Sequence, residues 1–198
     1  MITTELLEKH GALKKVFAKN ESIFEEGNLP SHYYQIVSGE VKMYNYNDTG
    51  REFIQGIFYK NQSFGEPPLF LNQNYPANAI AVESSELLIL PKNNFMKLLE
   101  ENPAVSIKII EHLAQRLYYK SVIAAEISTQ EPEHRILKLM DHGIAYFNFK
   151  KDENGHLINF TRQQIGDLTG LRVETVIRAI KSLEKKGVLK IIERKVYR

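Results

Sequence analysis

The sequence predicts an α+β chain in three parts: an antiparallel β-barrel over 1–103, a long helix over 104–128, and short helices closed by a two-stranded wing over 129–198. Three patterns predict it. Between about residues 20 and 92, short runs rich in Ile, Val, Tyr and Phe are cut by Gly27, Pro30, Gly39, Gly50, Gly56 and Gly65, as in a small barrel or sandwich. From 104 to 127 apolar residues recur at helical spacing on more than one face. From 161 onward two short amphipathic segments flank Gly170, and a strand-like tail follows.

Composition allows this and excludes much else. A chain of 198 residues can bury one large core or two modest ones. With 43% hydrophobic and 25% charged residues it is globular in character. No apolar run approaches the roughly 18 residues that span a bilayer. The opening "MITTELLEKHGALKK" lacks a basic-then-apolar signal pattern, so a cytoplasmic chain with no membrane partner is expected. Cysteine is absent, which removes disulfides, thiolate catalysis, cysteinyl zinc sites and cysteine-ligated iron–sulfur clusters. The net charge of +2 is unevenly shared: residues 161–198 hold ten Lys/Arg against four Asp/Glu, and residues 1–160 hold sixteen against twenty. A basic end on an acidic body points to a polyanionic partner for that end alone.

In chain order, "DTG" at 48–50 marks a hairpin tip, a helix is expected around 93–101, and Pro103 stands at the start of the long helix. In that helix Ile110, Leu113, Leu117, Ala124 and Ile127 follow a heptad broken at Lys120. Ile109 and Ile123, with Tyr118 and Tyr119 nearby, form a second row. One row can pack on the barrel while the other meets a second copy of the chain, which makes Ile110, Leu113, Leu117 and Ala124 the expected seam of a homodimer. A single helix buried in one core is the alternative. "STQEP" at 128–132 reads as a hinge. A helix over 134–146 and a polar loop "KKDENGH" at 150–156 come next.

The most informative stretch is "FTRQQIGDLTGLRVETVIRAIKSLEKKGVLKI". Thr161 followed by Gln164 forms a capping box that starts a helix, Gly170 turns the chain, and a second helix runs to about Lys186 before Gly187 stops it. At ~100° per residue, Glu174, Arg178, Lys181 and Lys185 fall within roughly 60° of one another, with Val173, Val176, Ile180 and Leu183 on the far side. Two short helices around a tight glycine turn make a helix-turn-helix, whose second helix enters the DNA major groove. "VLKIIERKVYR" reads as a two-stranded wing. Arg178 can donate two bonds to guanine O6 and N7, and Glu174 can accept from cytosine N4. Lys181 and Lys185 suit phosphates, and Thr161, Arg162, Gln163, Arg172 and Thr175 are further candidates for phosphate or groove contact. An ordinary i,i+4 surface pair would also place Glu174 beside Arg178. The capping box, the turn, the wing and the local charge together favour DNA.

These residues carry a resemblance. "IFEEGNLPSHYYQIVSGEVKMY", "SFGEPPLF" and "LTGLRVETVIRAIKSLEKKG" resemble, in order, the barrel opening, the nucleotide cassette and the recognition helix of the CRP–FNR family of transcription regulators (cyclic-AMP receptor protein and fumarate–nitrate regulator). The likeness runs from about residue 15 to 198. It implies a homodimer joined along the long helix, with a cyclic-nucleotide-binding-like barrel (a double-stranded β-helix) and a C-terminal winged helix-turn-helix. It implies a pseudo-palindromic DNA site, RNA polymerase as a partner, and base reading by Glu174 and Arg178. Val173 matches the fumarate–nitrate branch rather than the cyclic-AMP branch, and Ile177 replaces that branch's usual Ser.

The resemblance also bears on the candidate effector pocket, Gly65, Glu66, Tyr75, Lys120 and Ser121. Gly65 and Glu66 match the cassette, but Tyr75-Pro76 stands where the cyclic-AMP branch has an Arg-Ser pair, which removes a charge and a backbone donor. Lys120 and Ser121 stand at the adenine-facing Thr and Ser, and an amino group is poorly served by Lys. The expectation is no cofactor and no cyclic-AMP binding, with an unknown effector or none, and Glu66 either a ligand contact or a structural turn residue. Haem or another gas or redox sensor on the same scaffold is an alternative. A cupin-like metal enzyme would need clustered ligands among the barrel strands, where residues 20–92 hold the single histidine His32. No phosphate loop, nucleophile elbow or paired-acid signature is present, so the chain is expected not to be an enzyme.

Overall fold

The computed structural model describes residues 2–48, 50–127, 131–146 and 149–198, the side chains at 119, 123–127, 145 and 146 excepted. The chain divides into two compact units, Met1–Leu113 and Ala114–Arg198, with the boundary inside the long helix.

The first unit is the expected antiparallel barrel. Helix α1 (Thr4–Lys9) starts where the Thr3 hydroxyl accepts from the Leu6 N–H, and β1 (Leu13–Phe17) and β2 (Ser22–Phe24) follow. Strands β3 (His32–Ser38), β4 (Glu40–Tyr46), β5 (Glu52–Tyr59) and β6 (Ser63–Phe64) lead into the short helix α2 (Glu66–Leu71), then β7 (Asn78–Ala81) and β8 (Ser85–Pro91). Two four-stranded sheets, ordered β1-β8-β3-β6 and β2-β7-β4-β5, are antiparallel throughout. Strands β3 and β8 serve two cores because side chains alternate along a strand. Tyr34, Ile36 and Leu87 point between the sheets, while Tyr33, Leu88 and Leu90 point to the outer cluster with Leu7, Phe95, Leu98 and Ile109. Helices α3 (Lys92–Glu101) and α4 (Pro103–Ile127) supply Phe95, Leu98 and Ile109 to that outer layer.

The hairpin between β4 and β5 closes with the Asn47 N–H donating to the Arg51 carbonyl at 2.9 Å, around the "DTG" turn whose Thr49 lies outside the described residues. The hinge expected at 128–132 also lies largely outside them. Neither α1 nor α2 was legible as a helix. The "EPPLFL" of α2 reads as a breaker, yet its prolines occupy the first turn, where a missing N–H costs nothing.

In the second unit, α5 (Pro132–Tyr146), α6 (Arg162–Thr169) and α7 (Val173–Lys185) pack on one another and bury Ile136, Met140, Ile165, Val176, Ile180 and Leu183. Strands β9 (Lys151–Asp152), β10 (Gly155–Ile158), β11 (Lys190–Ile192) and β12 (Lys195–Tyr197) form a sheet ordered β11-β12-β10-β9. The polar loop expected at 150–156 is therefore a hairpin, β9–β10, and the wing is part of a four-stranded sheet. Two strands so short show no alternation, and β10 is held by β12 through pairs such as Ile158 with Val196, far along the chain.

Candidate nucleic-acid interface and barrel interior

The capping box is complete. The Thr161 hydroxyl accepts from the Gln164 N–H at 3.1 Å, and the Gln164 side chain accepts from the Thr161 N–H at 2.8 Å. Gly170 ends α6 at φ +71°, a left-handed conformation that lets the chain reverse within two residues before α7 begins at Val173. Helix α7 then divides cleanly. Val176, Ala179, Ile180 and Leu183 are buried, while Glu174, Arg178, Lys181 and Lys185 are exposed. Thr175 is half-buried and lies 3.5 Å from an Arg178 guanidinium nitrogen that donates toward its hydroxyl. Arg172 is the exposed N-cap of α7.

Two candidates for phosphate contact have partners inside the domain. Arg162 is partly buried and donates to the Arg194 carbonyl at 3.3 Å, joining the start of α6 to the wing turn. Gln163 donates to both carboxylate oxygens of the buried Asp167, at 2.8 and 3.0 Å. The wing turn itself places Glu193 and Arg194 at φ +49° and +66°, and Lys190, Arg194 and Lys195 are exposed there. The sequence marks the wing as a strand pair, but its period-two pattern does not single out which cations face outward at the turn. Ion pairs of Lys186 with Glu133 (2.6 Å) and Arg198 with Asp141 (2.9 Å) tie the end of α7 and the last strand to α5.

In the barrel, Gly65, Glu66 and Tyr75 do come together. Gly65 has φ +76°, and a Cβ there would lie 3.1 Å from the Phe24 ring and 3.3 Å from the Tyr75 ring, so a side chain would be strained and would crowd those rings. Glu66 is 1% exposed, opens α2, and accepts a hydrogen bond from the Ser63 hydroxyl. Tyr75 stacks on Phe24 with centroids 3.7 Å apart and an interplanar angle of 7°. Phe24 also lies against Tyr34 and Phe64, and Phe58 closes on Phe64. The Tyr75 hydroxyl is buried beside the Tyr34 phenol, and burial, with that phenol and Glu66 near it, pushes its pKa up. Lys120 and Ser121 belong to the other unit; both are exposed on α4, where the Ser121 hydroxyl donates to the Leu117 carbonyl at 3.0 Å. Among the described residues no three His, Asp or Glu gather as a metal site, and no helix is long and apolar enough to cross a membrane.

The long helix keeps one expectation and shifts another. Ile109 is in the barrel-side core, as the second row required. Leu113, expected in the dimer seam, is partly buried against that same core. Exposed instead are Ile107, Ile110, Ala114, Leu117 and Ser121, at spacings of three and four, with Ile110 63% and Leu117 68% exposed. Lys120 breaks the heptad because the open row passes one residue to its side. The side chain of Ala124 lies outside the described residues.

Comparison with known proteins agrees with this division. Residues 14–102 match the family model of the cyclic nucleotide-binding domain, and residues 134–197 match that of the Crp-like helix-turn-helix domain. The chain is 26% identical over 182 residues to the cyclic AMP receptor protein of Thermus thermophilus, covering 90% of this chain and 80% of that protein. The solved structure of the c-di-GMP responsive regulator CLP from Xanthomonas campestris superposes with a TM-score of 0.79 at 20% identity, covering 98% of this chain and 96% of that one. A CooA mutant from Carboxydothermus hydrogenoformans superposes with a TM-score of 0.80 at 17% identity, covering 100% and 87%.

Proposed function

Because this chain belongs to the CRP–FNR family of transcription regulators, we propose that it works as a homodimer that reads a pseudo-palindromic duplex with one α7 per half-site. The observation that carries this reading is the division of α7 into a buried apolar face and an open face of Glu174, Arg178, Lys181 and Lys185. On a duplex, Arg178 donates to guanine O6 and N7, Glu174 accepts from cytosine N4, and the two lysines neutralise phosphates. The exposed row of α4 is the surface offered to the second copy. A twofold axis there sets the two recognition helices on half-sites ~34 Å apart. RNA polymerase is the protein partner that this reading expects for the assembled dimer, as the family resemblance implies.

The barrel, in this reading, does not take cyclic AMP. A cyclic phosphodiester carries a full negative charge, and burying it is costly unless a cation or several donors pair with it. Tyr75 and Pro76 provide no cation, and the Phe24–Tyr75 stack occupies the space beside Gly65 and Glu66. One relative is named for cyclic AMP and another structure for c-di-GMP, so membership of the family does not assign the ligand. The barrel serves a different effector, or none, and Glu66 acts as a structural residue at the start of α2. Selection from a random duplex pool with the full-length protein tests the central claim. Enrichment of a pseudo-palindrome is expected; binding that stays indifferent to sequence overturns it.

A further inference from the structure

Helix α7 carries one feature that the charged face does not explain. Ile177 is 40% exposed, while Val176, Ala179, Ile180 and Leu183 of the same helix are buried. On the helix surface it lies beside Glu174 and Lys181, three and four residues away, both exposed. A single exposed apolar residue is ordinary on a protein surface. Two observations set this one apart. Among the described residues of 131–198, the exposed large apolar side chains are Ile177, on the recognition helix, and Ile192, on the wing. The position is also a poor one for a β-branched residue on helix-propensity grounds alone, since an exposed site favours straight-chain polar residues.

We propose that Ile177 is a specificity-determining residue that packs against the 5-methyl group of a thymine in the major groove. The proposal rests on the reading of α7 as the base-reading helix. Isoleucine has no donor or acceptor, so the base-edge feature it can favour is the thymine methyl, the one apolar group the major groove presents. Helix geometry limits where that thymine lies. Ile177 follows Glu174 by three residues and precedes Arg178 by one, and Cβ atoms three residues apart on a helix are about 5–6 Å from each other. The thymine therefore stands within one or two base pairs of the G·C pair that Arg178 reads. The half-site gains one apolar preference beside its two polar ones.

The test uses the full-length protein on its selected duplex, with each thymine of one half-site replaced in turn by deoxyuridine, which keeps the base pair and removes the methyl. Wild type should lose roughly three- to fivefold in affinity at one or two positions, as expected for one methyl returned to water. Ile177→Ala should lose a similar factor on the thymine duplex and be indifferent to deoxyuridine at those positions, whereas Ile177→Val should keep the sensitivity. No effect of any methyl removal, or an equal effect in wild type and Ile177→Ala, overturns the proposal. In that case DNA reading by α7 still stands if Arg178→Ala relaxes preference at a G·C pair. If both variants keep the full preference of the wild type, the assignment of α7 falls as well.

Discussion

Tyr75 offers the sharpest test of a closed barrel interior. Its ring is 3% exposed and stacked on Phe24 at 3.7 Å, so Tyr75→Ala empties a packed position flanked by Phe24, Tyr34 and the Gly65 backbone. Truncating a buried aromatic typically costs about 3–5 kcal/mol, of which the stacked pair accounts for about 0.5–1.5. Tyr75→Phe keeps the ring and removes a hydroxyl that interacts with the neighbouring Tyr34 phenol. A single neutral hydrogen bond contributes about 0.5–1.5 kcal/mol net. The phenylalanine variant should therefore lose about 1 kcal/mol or less, well short of the alanine variant. Urea unfolding followed by circular dichroism suits a chain without tryptophan. The comparison is made on the transition that Tyr75→Ala moves, because the chain has two compact units. A loss of about 2 kcal/mol or more in Tyr75→Phe would refute the reasoning, since it would mean that the hydroxyl has a strong partner and the interior is not closed around apolar contacts.

Calorimetric titration with cyclic AMP and cyclic GMP should show no saturable heat at micromolar ligand; binding abolished by Glu66→Ala would restore a nucleotide-sensing barrel. Arg178→Ala should lose about 1–3 kcal/mol on the selected site and relax preference at one G·C pair, whereas Lys185→Ala should weaken all duplexes alike and reduce the salt slope by about one. Leu117→Glu sets two like charges in the α4 seam and should yield monomers in sedimentation that bind the full site weakly; an unchanged dimer would place the interface elsewhere. His142 has its pKa lowered to about 4 by burial. The unfolded chain therefore binds this proton first, near 6.5, and the neutral imidazole's contribution is lost as pH falls from there to about 4. His142→Gln should flatten the pH dependence of stability in that window, and an unaltered slope would assign the acid sensitivity to other groups.

Much of the interface could be read from the chain because its logic is local. A capping box, a glycine turn and a 3.6-residue period each depend on residues a few positions apart, and Thr161, Gln164 and Gly170 fold as that local chemistry dictates. The same holds for the buried and open faces of α7. The barrel's strands were legible from glycine punctuation, but β1 was not: its Leu13, Lys14, Lys15 and Val16 are all exposed, so no alternation marks it. Helix α2 was hidden by prolines that are permitted only because they sit in the first turn.

The sequence by itself determined the order of the parts, the charge asymmetry, the helix-turn-helix and the absence of a cation at Tyr75-Pro76. Tertiary structure decided the rest, for reasons of long-range geometry. Whether Leu113 faces a partner or the barrel depends on which side of α4 the outer cluster covers, and residues as distant as Leu7 and Phe95 build that cluster. Whether the barrel interior is open depends on Phe24 meeting Tyr75, far away in the chain, through a contact that no local period encodes. The short hairpin β9–β10 exists as part of a sheet only because β12, the last strand, returns to pair with β10. Local periodicity specifies which face of an element is apolar, and only the packed neighbours specify what that face meets.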